Sequence, residues 1–243
     1  REAEALPPLV EMLDPACADE LRATAAAAIE HASHNEANKA ILRELDAIPK
    51  LLRLLEVWQL QTQALRALNA LVANEEEAAV LVRLNGGIRR LQALLYEPDD
   101  ERPALAAELL FLCAGLSHEN KVALRMHDAL RPLVRLLSSA LREIRLPAVG
   151  ALLHATTLES TNQAKCRQLA AVVPLTLLLE QAVDAADAEM QLRAAGCLSN
   201  LVTDAIAATQ LLGSSAGLAP LVACIGTADM RLQRPAAACI FNC

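Results

Sequence analysis

The sequence predicts an all-α solenoid, and three observations carry that prediction. A short motif recurs six times: an apolar residue, then usually a proline, then leucine, ending in a Leu-Leu-like pair. It begins at Leu6, Ile48, Ile88, Leu130, Val172 and Leu218. Its closing residues are Leu13, Leu55, Leu95, Leu137, Leu179 and Ile225, separated by 42, 40, 42, 42 and 46 positions, a period that belongs to stacked helical repeats. The composition fits as well: 54% of the 243 residues are apolar and only 2% aromatic, in a chain rich in the strong helix formers Ala and Leu.

Each period divides into three segments. In the second, Asn35 caps a short helix over 36–43, Asp46-Ala47 makes a turn, and Pro49 sits in the first turn of a second helix that runs to about Leu55. A third, longer helix follows, with Leu60, Ala64, Leu65, Ala67, Leu68, Leu71 and Val72 on one apolar stripe. The unbroken period makes residues 1–243 one solenoid, with repeats over about 1–34, 35–74, 75–118, 119–161, 162–204 and 205–243. The first lacks its opening helix and the last is cut within its third, which marks the sequence as a fragment of a longer protein.

This short-short-long plan resembles the armadillo repeat. The residues that carry the resemblance are Asn120-Lys121-Val122-Ala123-Leu124 and Asn162-Gln163-Ala164-Lys165-Cys166 as opening segments, the central Pro-x-Leu-x-x-Leu-Leu element, and Ala195-Gly196-Cys197-Leu198-Ser199-Asn200-Leu201 near the end of a period. The resemblance implies a right-handed superhelical α-solenoid of about six armadillo-like three-helix repeats. One departure concerns the turn between first and second helices, where the family usually has glycine. Gly86 fits, while Asp46 and Asp128 hold the slot elsewhere, and Asp tolerates left-handed geometry.

The resemblance also implies where function lies, because the third helices line the inner, concave face in this family. Peptide-binding members carry an Asn ladder there and Trp one turn earlier. In this sequence the ladder slot holds His31, Ala70, Gly115, His154, Asn200 and Asn242, and the slot before it holds no Trp but includes Arg66 and Phe111. Gln63, Glu108 and Arg193 lie a further turn back. The candidate protein-binding residues are therefore His31, Gln63, Arg66, Glu108, Phe111, His154, Arg193, Asn200 and Asn242. For His31, His154 and Asn200 the alternative is that they are solvated or satisfy neighbouring backbone groups. The links between second and third helices are extended in repeats three and five, which adds Asp99, Asp100, Asp184 and Asp187 as edge-loop candidates, against the alternative of merely solvated loops.

The charge and the cysteines exclude several function classes. A net charge of −7, without a basic run, argues against nucleic acid and anionic membranes. No stretch approaches the roughly 18–20 apolar residues of a membrane span. The seven cysteines fall largely within apolar helical patterns and read as buried free thiols of a reducing compartment. No phosphate loop, Cys-x-x-Cys or His-Glu-x-x-His occurs, and His31 and His34 lack a third ligand nearby, so no catalytic residue, cofactor, metal or small-molecule substrate is expected. Trp58 is expected to cover a junction between repeats, and an exposed Trp is the alternative as a contact residue.

The expected function is a non-catalytic protein-interaction scaffold inside the cell, in the cytoplasm or cytoskeleton, with the nucleus left open. A multi-subunit structural assembly suits it best, and a cilium or axoneme is one such setting. The alternative is the substrate-recruiting arm of a ubiquitin ligase. A nuclear import adaptor is disfavoured because the Trp array is absent.

Overall fold

The computed structural model describes residues 2–243, with side chains from Glu4 onward. Among the described residues there are seventeen α-helices and no strand. The first repeat contributes α1 (Glu2–Glu11) and α2 (Asp19–Ala32). The second contributes α3 (Glu36–Glu44), α4 (Ala47–Leu54) and α5 (Gln61–Val72), with one 3-10 turn at Trp58–Leu60. The third holds α6 (Glu76–Leu84), α7 (Gly87–Leu94) and α8 (Glu101–Leu116), and the fourth α9 (His118–Met126), α10 (Leu130–Leu136) and α11 (Arg142–Thr156). The fifth holds α12 (Ser160–Gln168), α13 (Val172–Asp184) and α14 (Ala188–Leu201), and the sixth α15 (Ala205–Leu212), α16 (Ala219–Ile225) and α17 (Met230–Phe241). The helices group into two compact units, Arg1–Ala123 and Leu124–Cys243.

Local signals explain these elements. Asn35 caps α3, its side chain accepting from the Ala37 N–H. Leu60, which ends the 3-10 turn, and the apolar stripe of α5 from Ala64 to Val72 are buried throughout, none above 1% exposure. Each such leucine contributes on the order of 2 kcal/mol by leaving water. The turn between first and second helices is left-handed at Asp46 (φ 58°), Gly86 (71°), Asp128 (52°) and Ala170 (57°), and in the sixth repeat one residue later, at Gly217 (53°). Both aspartates thus adopt the expected geometry. Ala170 adopts it without the local hydrogen bonding that eases Asp, at a cost of about 1 kcal/mol or more.

A sharper problem arises where each third helix reverses into the next first helix, because the reversal strands buried carbonyls. Asparagines on the first helices meet them. Asn38 Nδ2 donates to Ala32 O at 3.1 Å, Asn120 Nδ2 to Cys113 O and Ala79 O at 3.1 Å each, and Asn162 Nδ2 to Ala155 O at 2.8 Å. Asn120 and Asn162 are fully buried. An arginine from the preceding repeat holds the other end of the amide: Arg83 Nε donates to Asn120 Oδ1 at 2.9 Å and Arg125 Nε to Asn162 Oδ1 at 3.1 Å. These belong to a series at 43, 83, 125 and 167. Arg43 pairs instead with Glu75 and Glu77, and Arg167 reaches Leu201 O, Thr203 Oγ1 and Asp204.

The cysteines are free, and five of the seven are buried. Burial pushes the thiols of Cys113, Cys166 and Cys239 up to about 12, and that of Cys197 well above its ordinary value. Cys243, four residues after the buried Cys239, is exposed.

Three outcomes follow for measurement. Asn120→Ala leaves carbonyls and a guanidinium without their partner and should lower stability by about 2 kcal/mol in urea unfolding, whereas the exposed Asn85→Ala should change it by less than about 0.5 kcal/mol. Ala170→Gly should raise stability by about 1 kcal/mol in the same assay. With a thiol reagent at neutral pH, only Cys17 and Cys243 should label promptly, the five buried thiols reacting on the timescale of unfolding.

Candidate protein-binding surface

Third helices stack on one another in order within each unit, α2 on α5 on α8 in the first and α11 on α14 on α17 in the second. Small residues allow the close approach. A Cβ added to Gly196 would lie 3.1 Å from Leu153 Cδ1, so α14 lies against α11 where a side chain would push it away. Stacking consumes two faces of each third helix and leaves an outward stripe, on which His31, Arg66 and Gly115 are exposed.

In the first unit, His31 is exposed in the last turn of α2, its ring stacked on that of His34 at 6.3 Å between centroids. Gln63 is half-buried on α5, and its Oε1 has no hydrogen-bond partner among the described residues. Arg66 donates to Glu101 in the first turn of α8, so the two charges neutralise one another across the stack. Glu108 and Phe111 are half-buried on α8. Asn69, one residue before the ladder slot at Ala70, was not among the candidates. Its Nδ2 donates to Leu105 O at 3.1 Å, while its Oδ1 is buried without a partner. The one asparagine of α5 was visible in the sequence, but a shift of one residue in register hid its role.

In the second unit the polar candidates turn inward. Asn200 Nδ2 lies 3.1 Å from Thr156 Oγ1 and 3.2 Å from Thr157 Oγ1, fastening α14 to the end of α11. Arg193 Nη1 donates to Leu146 O at 2.9 Å and its Nη2 pairs with Glu189 at 2.7 Å, leaving the side chain 16% exposed. His154 is half-buried near the end of α11. Asn242 follows α17, exposed, and donates to Val202 O at 2.7 Å. Asn200 and Arg193 both bind α11.

Three of the four acidic candidates, Asp99, Asp100 and Asp187, occupy helix starts. Asp99 Oδ1 accepts from the backbone N–H groups of Glu101 and Arg102, and Oδ2 from Arg102 Nε at 2.7 Å. Burial raises its pKa, but the Arg102 backbone and guanidinium donors outweigh that and leave it below the usual carboxylate range. Asp187 caps α14 by accepting from Met190 N–H and takes a two-pronged bond from Arg142, at 2.6 and 3.0 Å. Those Arg142 donors hold its carboxyl below the usual range. Asp100 is exposed. Asp184 is the last residue of α13 and belongs to no loop, because the extra length of repeat five is taken up as added helix. Trp58 lies against the next repeat yet stays open to solvent. It is 64% exposed, with the Arg102 guanidinium 4.8 Å from its ring centre.

Among the described residues no group of three His, Cys, Asp or Glu side chains is arranged to hold a metal ion. No single described helix is long and apolar enough to cross a membrane.

Comparison with known proteins agrees with this geometry. Residues 117–157 match the model of the Armadillo/beta-catenin-like repeat. No curated protein sequence matches the chain. Among solved structures, a designed armadillo repeat protein superposes with a TM-score of 0.86 at 22% identity, covering 98% of this chain and 99% of its own. A second engineered protein gives 0.83 at 25% identity, over 98% and 97% of the two chains. A third, a designed armadillo repeat protein in complex with the peptide (KR)4, gives 0.82 at 23% identity, over 98% of each. The chain thus carries an armadillo repeat at residues 117–157 and has the armadillo fold over nearly its whole length.

Proposed function

We propose that this chain is a non-catalytic scaffold that binds a partner protein across the outward stripes of its third helices, as a subunit of a larger assembly. The observation that carries this reading is the armadillo fold itself, with third helices stacked in order within each unit and their outward stripes lined by small and half-buried residues. That one similar designed structure holds a peptide supports a protein or peptide partner.

The state of the polar candidates narrows the mode of binding. Asn200, Asn69 and Arg193 spend their donors on adjacent third helices, so few amides are left to hydrogen-bond an extended main chain. The partner is therefore a helix or folded surface recognised by shape, with His31, Phe111 and His154 as contact residues. A stripe prepaid in internal bonds is stiff, and such a surface suits a lasting contact better than a promiscuous one.

Ala70→Arg and Gly115→Arg, each at a position on this stripe, should weaken capture of the native partner at least about tenfold, the cost of one lost well-packed contact. Helical content by circular dichroism should stay unchanged. Cross-links to the partner should fall on α5, α8, α11 and α14. The peptide (KR)4 should bind only weakly. Unimpaired capture by both variants, with cross-links on the first helices instead, would overturn the reading.

A further inference from the structure

The chain holds one Trp and one Tyr, and both stand in water. Trp58 lies in the link from α4 to α5, and Tyr96 in the link from α7 to α8, the corresponding stretch of the next repeat. Trp58 is 64% exposed and Tyr96 45%. An indole offers more apolar surface for burial than any other side chain, so a fold that fills its core with Ala and Leu and leaves its one Trp outside is displaying that surface.

Trp58 is held in place on one side. The Arg102 guanidinium lies over its ring, 4.8 Å from the centre. That group is itself fixed: Nε donates to Asp99 Oδ2 at 2.7 Å, Nη1 to Gln61 Oε1 at 2.7 Å, and Nη2 pairs with Asp99 at 2.7 Å and with Glu97 at 3.7 Å. Arg102 is buried beneath these contacts. The opposite face of the indole is open to solvent, and its Nε1–H has no partner among the described residues. A large ring already fixed in orientation gives up little freedom when a partner covers it, which is what an interface anchor requires.

Charge selects the occupant. Glu97 and Asp99 both reach the guanidinium over Trp58, so the segment between and beside them borders the ring. Over residues 96–102 four carboxylates, Glu97, Asp99, Asp100 and Glu101, stand against the one guanidinium of Arg102. Arg66 neutralises Glu101, which leaves two negative charges in excess. Asp100 is exposed and has no ion-pair partner among the described residues. A cation is therefore drawn to this edge, and a planar one stacks on an indole as Arg102 already does from the other side.

We propose that the open face of Trp58 is a docking site for an arginine side chain of a partner protein, its guanidinium stacked on the indole opposite Arg102 and its charge met by the carboxylates of residues 97–101, Asp100 first. The site adds a second contact to the scaffold reading. It lies at the starts of α5 and α8, outside the outward stripe, and does not depend on that stripe being occupied.

The probe is the peptide acetyl-(Gly-Arg)3-amide, titrated into the isotopically labelled full chain. Trp58 is the sole tryptophan, so its fluorescence and its indole N–H resonance report on this site alone. Binding should be weak but saturable, shifting the indole N–H and the backbone amides of residues 56–60 and 96–102, and should weaken severalfold as salt is raised from about 50 to 200 mM. Replacing each arginine by citrulline, its neutral isostere, should weaken binding at least about threefold, the loss of one exposed cation-π contact and its ion pair. Asp100→Asn should weaken it about twofold or more. Trp58→Leu should abolish the amide shifts over 96–102 while circular dichroism stays unchanged, and Ala70→Arg, on the stripe, should leave binding intact. The proposal is overturned by the absence of an indole shift up to the peptide's solubility, by equal binding of the citrulline peptide, or by undiminished binding to the Asp100→Asn or Trp58→Leu protein.

Discussion

Everything else in this fold depends on reversing the chain sharply after each long helix without leaving buried carbonyls unpaired. Water cannot reach those groups, so the protein must supply donors, and a short amide on the next helix is the natural one. Asn120 and Asn162 do this fully buried, each bonded on both ends of its side chain. The arginine that completes each amide comes from one repeat earlier. The same interaction therefore closes a turn and fastens successive repeats, which couples local geometry to stacking.

The turns into the third and sixth repeats are managed with other chemistry. Arg43 faces two glutamates where Arg83 and Arg125 face asparagines, and Arg167 finds a carbonyl, a hydroxyl and a carboxylate. What persists is the guanidinium with its several donors in a fixed plane, able to satisfy whichever acceptors a given turn provides. Lys39 adds a similar contact by a single point, donating to Ala73 O at 2.7 Å.

Most helices were legible in the sequence because their signals are local. The buried stripe of α5, the Asn35 cap and the left-handed turns at Asp46, Gly86 and Asp128 needed only neighbouring residues to be read. Ala170 in the same left-handed slot was not legible, since alanine gives no sign of such a backbone. Nor was the direction of the ladder residues. Asn200 spends its amide on hydroxyls 43 and 44 positions earlier, a choice fixed by how two helices settle and by nothing adjacent in sequence. The extension in repeat five was misread as loop although Glu180, Gln181 and Ala182 all favour helix, because the acidic residues that follow drew it toward solvent.

The left-handed turns carry a consequence of chirality. Four successive repeats place one residue, at 46, 86, 128 and 170, in the region that an L side chain enters only at a cost and a mirror-image residue would occupy without one. A D-alanine introduced by chemical ligation at position 170 would be at home where the natural L-alanine is strained. At these points the helical hairpin is held by the sign of one backbone angle, and the side chain is free to be glycine, aspartate or alanine.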